Sequence, residues 1–453
     1  MPNPLTTYLH HISIMLIKIL QLLTALSFLV FIHELGHFLA AKAFGMRVNR
    51  FFIFFDAWGK KIWSKTIGDT EYGIGWLPLG GYVQIAGMID ETQNASSMSS
   101  TPEPWEFRAK PAWQRFIVMI GGIVMNILAG YIIFTMYLPV FAKEYLPMSE
   151  VNRQGGIYAY PLAEEMGLKT GDKILDINGK PSERFDDLGS FRLLLGGTLG
   201  IERNGQKMTI QVPSGFVTKM KGEFIVPLKQ DIYVEDMPAE SSAAKAGIQK
   251  DDRIAAINGQ PVENFPSLQN LLKQQAGQTV AVQIERGGAS NTLSAAIDTA
   301  GKLGFMPRLD VKKYYQHQPY TWGKSLGYGV TKSIDAIVGQ FAALGMVFTG
   351  KLDPRQSISS PIGIARVFPS EWDWARFWAL TGLISLALAV MNILPIPALD
   401  GGHMVFLGFE ILTGRRPSDQ FLERAQMVGM IILLSLMVFA FGNDIYKAIT
   451  GTW

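Results

Sequence analysis

The sequence predicts a polytopic α-helical membrane protein with about four transmembrane helices, a membrane-associated β-hairpin and two tandem α+β domains. Three observations lead there. Charge-poor apolar runs long enough to cross a bilayer lie near both ends of the chain. A motif in the middle is repeated, and a stretch rich in glycine and aromatics between the first two runs favours strand over helix. Composition agrees, because 453 residues that are 48% hydrophobic and only 17% charged are too poor in charge for an ordinary soluble protein. The formal net charge of +3, with no basic stripe interleaved with aromatics, argues against a nucleic-acid partner. Cysteine is absent, which excludes disulfides and thiolate metal ligands.

The first apolar run extends from about Ile14 to Phe44, is broken only by Lys18 before the motif, and carries His33-Glu34-Leu35-Gly36-His37 near its end. A secretory signal peptide is the obvious rival, but the run is too long and too far from a small-residue cleavage site. Histidines at i and i+4 project from one helical face, so both imidazoles can reach one metal ion while Glu34 stands beside them to deprotonate a water. So short a motif also matches by chance. A catalytic zinc takes three protein ligands and keeps one position open, so a third ligand must come from elsewhere. The only histidines outside the first half are His317 and His403, and the most suggestive carboxylate is Asp400. Asp400 closes a second charge-free run that begins at Phe377, where an ionisable group is costly unless paired or metal-bound. The surrounding Pro395-Ile396-Pro397-Ala398-Leu399-Asp400-Gly401-Gly402 reads equally well as a turn after a helix.

The remaining runs are Phe116 to about Val140 and a short one from about Ala425 to Gly442. Lys42, Arg47, Arg50, Lys60, Lys61 and Lys65 lie between the first two spans and Arg415, Arg416 and Arg424 between the last two, so both loops are expected in the cytoplasm. The N-terminus, the long middle segment and the C-terminus then face the other side. The first and third spans run in the same direction, which brings His33, His37 and Asp400 to one membrane face. A further span between Tyr320 and Gly350 would invert the helix carrying Asp400. That stretch, with Trp322, Leu326, Val330, Ile334, Ile337, Val338, Phe341 and Leu344 on one face, is therefore read as a helix on the outer surface, with a buried soluble-core helix as the alternative.

Between the second and third spans, Gly167-Leu168-Lys169-Thr170-Gly171-Asp172-Lys173-Ile174-Leu175-Asp176-Ile177-Asn178-Gly179-Lys180-Pro181 recurs as Gly247-Ile248-Gln249-Lys250-Asp251-Asp252-Arg253-Ile254-Ala255-Ala256-Ile257-Asn258-Gly259-Gln260-Pro261. Each copy reads as a strand, an Asn-Gly turn, a helix (Phe185 to Leu195, Phe265 to Gln275) and a last strand ending near Arg203 or Arg286. The pattern resembles the circularly permuted PDZ domain of bacterial proteases, which takes an extended peptide against a sheet edge or serves as a size filter. In the cytoplasmic loop, Gly73-Ile74-Gly75-Trp76-Leu77-Pro78-Leu79-Gly80-Gly81-Tyr82-Val83-Gln84 reads as a hairpin dipping toward the metal motif, whose unpaired edge could hold a substrate strand; a plain surface hairpin is the alternative. The predicted order is thus 1–50 first transmembrane helix, 51–110 loop with hairpin, 111–141 second helix, 142–223 and 224–308 the two domains, 309–370 surface helix and connection, 371–402 third helix, and 403–453 loop and fourth helix.

Taken together, these residues resemble the site-2 protease family of intramembrane zinc metalloproteases, in its RseP-type bacterial branch with two PDZ domains. His-Glu-x-x-His, Pro-Leu-Gly-Gly-Tyr, Ser360-Pro361-Ile362-Gly363-Ile364-Ala365 and Leu399-Asp400-Gly401-Gly402-His403 follow in family order. The resemblance implies one zinc held by His33, His37 and Asp400, with Glu34 as general base. It also implies that Asn392, Pro395 and Pro397 help place the substrate, and that Gly73, Ile74, Gly75 and Trp76 of the hairpin pair with it. The implied setting is a bacterial inner membrane with the PDZ domains and both termini in the periplasm and the site near the cytoplasmic face. The implied substrates are pre-trimmed single-span proteins of the anti-sigma-factor type and remnant signal peptides. Three departures concern substrate contacts and not the metal set: Gly122-Ile123 in place of Gly-Pro, Ala387 in place of an asparagine, and Gln84 in place of a basic residue. A catalytically inactive membrane-anchored peptide-binding scaffold is the competing function. A transporter would need duplicated helical halves, and an anchored soluble zincin would carry its motif outside the apolar run.

Overall fold

The computed structural model describes residues 4–78, 80–88, 101–141, 144–213, 216–219, 224–317 and 320–450. Two compact units emerge, Met1–Ala142 with Tyr320–Trp453, and Lys143–Pro319.

In the first unit, helix α1 (Pro4–Ala43) and helix α2 (Ala112–Phe141) pack together, and the Trp374–Ile393 helix lies against α2. Small residues permit the approach. A Cβ on Gly36 would collide with the Gly121 carbonyl, and one on Gly122 with both His33 and His37. On the other side of α2, Gly130 and Gly382 pack against Leu386 and Phe134, and the Ser385 hydroxyl donates to the Asn126 carbonyl at 2.7 Å. Small residues and interhelical hydrogen bonds are what join helices in lipid, where burial of apolar surface drives little.

Among the described residues five helices, where about four were expected, are long and apolar enough to cross a membrane; the additional one is Trp322–Phe348, the least apolar of the five. Its apolar face (Leu326, Val330, Ile334, Val338, Phe341) points outward, and Ser325, Gly329, Ser333, Ala336 and Gly339 are buried, with Gly329 against Thr135 of α2. A buried soluble-core helix would show the reverse arrangement. The C-terminal helix spans Asp419–Thr450, well beyond the expected apolar run, because its polar ends are accommodated individually. Asp444, for example, accepts from Ser360 N (2.9 Å), Ser360 Oγ (2.5 Å) and Gly363 N (3.2 Å), while Asn443 donates to the Arg355 and Ile358 carbonyls.

The expected hairpin is part of a four-stranded sheet: β1 (Val48–Phe52), β2 (Lys61–Ile67), β3 (Thr70–Gly75) and β4 (Tyr82–Ile85), in the order β2-β3-β1-β4. Strand β1, antiparallel to β4 and parallel to β3, begins inside the segment assigned to the first transmembrane helix, which ends at Ala43. The third apolar run is also interrupted. Pro395 and Pro397 supply no backbone N–H, so the helix stops at Ile393 and a new one, Asp400–Thr413, starts at the aspartate itself.

The second unit has two apolar cores, one around Ile157, Leu168, Ile174, Leu193, Leu199 and Ile201 and the other around Ile232, Val234, Ile254, Val282 and Ile284. Each repeat supplies a strand (Lys173–Ile177, Arg253–Ile257) and an Asn-Gly turn with both residues at positive φ, as a tight hairpin demands. The likeness extends to side chains. Asp172 and Asp252 each accept a backbone N–H from three residues earlier and a two-armed guanidinium, from Arg203 and Arg286, at 2.7 Å per arm. The helix expected over Phe185 to Leu195 is broken into Phe185–Gly189 and Phe191–Leu194 around Gly189-Ser190, whereas Phe265–Gln274 is continuous behind an Asn264–Ser267 capping box. A final strand, Met306–Asp310, pairs with Asp231–Asp236. Gln316–His317 then pairs with Glu144–Tyr145, so the chain enters and leaves this unit through one two-stranded strap.

Candidate active site

His33 and His37 leave one face of α1 four residues apart, and Asp400, first residue of its helix, meets them. The Nε2 atoms stand 3.1 Å apart, and Asp400 Oδ2 lies 3.1 Å from His33 Nε2 and 3.5 Å from His37 Nε2. A tetrahedral ion with bonds near 2.05 Å separates its ligands by about 3.3 Å, so the three atoms fit zinc. Asp400 Oδ2 is buried without a hydrogen-bond partner, as an oxygen reserved for a cation would be.

The histidines are aimed from α2. His37 Nδ1–H donates to the Val118 carbonyl at 2.8 Å, which leaves Nε2 unprotonated for a metal. Asn126 places its amide 3.3 Å from His33 Nδ1 while its Oδ1 is buried and unpartnered. With the amide turned, His33 Nδ1–H donates to Asn126 Oδ1, which leaves Nε2 unprotonated for a metal.

Glu34 joins His33, His37 and Asp400 around a cavity of about 170 Å³, walled by Gly81, Tyr82 and Val83 at β4, by Phe55, Met88 and Met119, and by Ala398, Leu399, His403 and Gln426. The hydroxyl of Tyr82 is committed to Asp56 at 3.0 Å and Arg50 at 3.5 Å. Burial pushes the phenol up to about 12, with the Arg50 hydrogen bond opposing and Asp56 reinforcing the shift, so Tyr82 is a neutral part of the wall.

The other residues singled out in the sequence divide. Asn392 places its amide 3.4 Å from His33 Nε2, beside the ligand set. Pro395 and Pro397 form the link that delivers Asp400, with the Pro397 carbonyl packed against Gly429. Gly73, Ile74 and Gly75 lie in β3, which is hydrogen-bonded on both sides, and Trp76 bonds the Ala57 carbonyl and stacks on Trp58; none of the four lines the cavity. The edge left open by the sheet next to the cavity belongs to β4, so an added strand would pair there. His403 lines the cavity without ligating, and His317 sits in the strap of the other unit. Asn126 and Gln426 were not assigned these roles from sequence, although a lone amide in or beside an apolar run was the available signal. The Val118 carbonyl leaves no such mark.

Comparison with known proteins agrees with this chemistry. The regulator of sigma-E protease RseP of Salmonella typhimurium is 28% identical over 93% of this chain and 96% of its own length, and that of Escherichia coli 27% over 93% and 97%. A Neisseria meningitidis protein described as "Putative zinc metalloprotease" is 26% identical over 95% of this chain and 99% of its own. Peptidase family M50 matches residues 21–436, a range that opens ahead of the two histidines and closes beyond Asp400 and Gln426, and the chain is therefore a member of that family.

Proposed function

We propose that this zinc metalloprotease hydrolyses a peptide bond in or near the transmembrane segment of single-span membrane proteins whose outer part has already been removed. The observation that carries the proposal is the placement of a hydrolytic ligand set, with its carboxylate base, inside a group of apolar helices and beside an unpaired strand edge. A helical substrate hides its scissile bond in its own hydrogen bonds. It must unwind locally, and pairing with β4 compensates the amides and carbonyls so freed.

His33, His37 and Asp400 would hold zinc, which when bound supplies an activated water and polarises the carbonyl under attack. Glu34 would accept the proton of that water and return it to the departing amine. Val118 and Asn126 keep the imidazoles oriented. Asn392, whose amide lies 3.4 Å from His33 Nε2, would bind substrate backbone in this reading. Two relatives are named regulators of sigma-E protease, and an anti-sigma factor or a remnant signal peptide is the substrate class this reading assigns to the present chain. We place the protein in the bacterial inner membrane with the site near the cytoplasmic face. In this reading the two repeated lobes are PDZ domains in the periplasm that either capture a newly exposed C-terminus or reject bulky outer domains. Glu34→Gln should keep zinc and fold but abolish cleavage of co-expressed truncated single-span proteins, read by terminal proteomics. Cleavage near the wild-type rate would refute the assigned base.

A further inference from the structure

A strand added to β4 satisfies only one of its two edges. Its backbone groups alternate in direction, so every second N–H and C=O faces away from the sheet, and in a membrane-embedded cavity such groups cost free energy unless protein supplies partners. The cavity wall not built by the sheet offers two uncommitted polar side chains. His403, one turn beyond Asp400, and Gln426, on the C-terminal helix, both line the cavity, and neither side chain makes a hydrogen bond among the described residues. Their types suit the task, since a carboxamide both donates and accepts, as a peptide unit requires, and an imidazole donates to a carbonyl. Gln426 is also held in place, because Gly429, one turn further along the same helix, packs against the Pro397 carbonyl in the link leading to Asp400.

We propose that Gln426 and His403 bind the outward-facing backbone edge of the substrate strand, so that β4 and the two C-terminal helices grip the unwound segment from both edges. The proposal rests on the protease reading above. It makes both residues substrate-binding groups that recognise main chain, and it predicts tolerance of side-chain sequence at the positions they touch.

The test uses full-length protein in detergent with a fluorescein-labelled synthetic single-span peptide, rich in Leu and Ala with a central Asn-Pro break. Cleavage by wild type that Glu34→Gln abolishes secures the underlying reading; no cleavage by wild type overturns that reading and this inference together. In the Glu34→Gln background, adding Gln426→Leu or His403→Phe should each weaken peptide binding by about tenfold in fluorescence anisotropy, the loss expected when one backbone group is left unpaired. Zinc content and melting temperature should be unchanged. With Glu34 intact, the same substitutions should raise KM more than they lower kcat. Peptides carrying one backbone ester in place of an amide provide a readout that needs no variant. Pairing with β4 alone makes alternate positions sensitive, whereas a second grip adds sensitivity at an intervening position, and Gln426→Leu should remove it. Binding within twofold of the parent for both well-folded variants, or ester sensitivity confined to alternate positions, overturns the inference and leaves the protease reading standing.

Discussion

His33 and His37 could be recognised as a pair from spacing alone, yet what aims both rings at one point is contributed by α2. The Val118 carbonyl fixes one tautomer and Asn126 the other, and Gly36, Gly121 and Gly122 let the helices come close enough for both. Partners of this kind typically govern metal affinity by ten- to a hundredfold. Asn126→Ala should accordingly weaken zinc binding by roughly tenfold in competition with a chelator while the fold persists. Asp400→Ala should remove most of the bound zinc by elemental analysis, and full retention would take Asp400 out of the ligand set. The motif residues were legible because metal chemistry restricts residue type and spacing. A backbone carbonyl has no residue type, so Val118 was not legible at all.

At the scale of elements, apolar length was the strongest signal and local register the weakest. The helix carrying the histidines and the one ahead of the Pro395–Pro397 link were readable from charge-free runs, whereas the helix that starts at Asp400 was not, since the run ends there and the residues beyond it read as loop. β1 was not, being five residues directly after a long helix, and without it β3 looks like the accessible arm of a hairpin when it is an interior strand. The Trp322–Phe348 helix shows the converse problem, because an amphipathic face looks the same in sequence whether it is turned inward or toward lipid. Another buried contact ties elements together: Asp444 accepts from Ser360 and Gly363 at the start of a short helix, Pro361–Val367, packed on Leu22 and Ala25 of α1. Asp444→Ala should cost that segment about 1–3 kcal/mol of local stability, because three donors lose their acceptor. Faster amide exchange at Ile362 to Ala365, with zinc content unaltered, is the expected result.

The whole molecule joins a helical unit, where small residues and paired polar groups meet between apolar helices, to a second unit held by ordinary cores and by arginine–aspartate pairs with buried carboxylates. The second unit therefore has its own pH dependence. Burial alone would raise the Asp252 carboxyl, but the Arg286 guanidinium and the Gln249 N–H outweigh it and hold it below its usual value. A carboxyl depressed in the folded state stabilises above its unfolded value of about 4 and loses that contribution as the pH falls. Protection of the Arg253–Ile257 amides in the full chain should thus hold from pH 8 to 5 and decline below about pH 4; constant protection to pH 2 would contradict the role given to this pair.

The strap formed by Glu144–Tyr145 and Gln316–His317 holds the first and last described residues of this unit about 5 Å apart. A short peptide could bridge that gap, so residues 146–315 behave topologically as a detachable cassette. Lengthening, shortening or exchanging it would leave the threading of the remaining chain, and with it the meeting of His33, His37 and Asp400, unaltered.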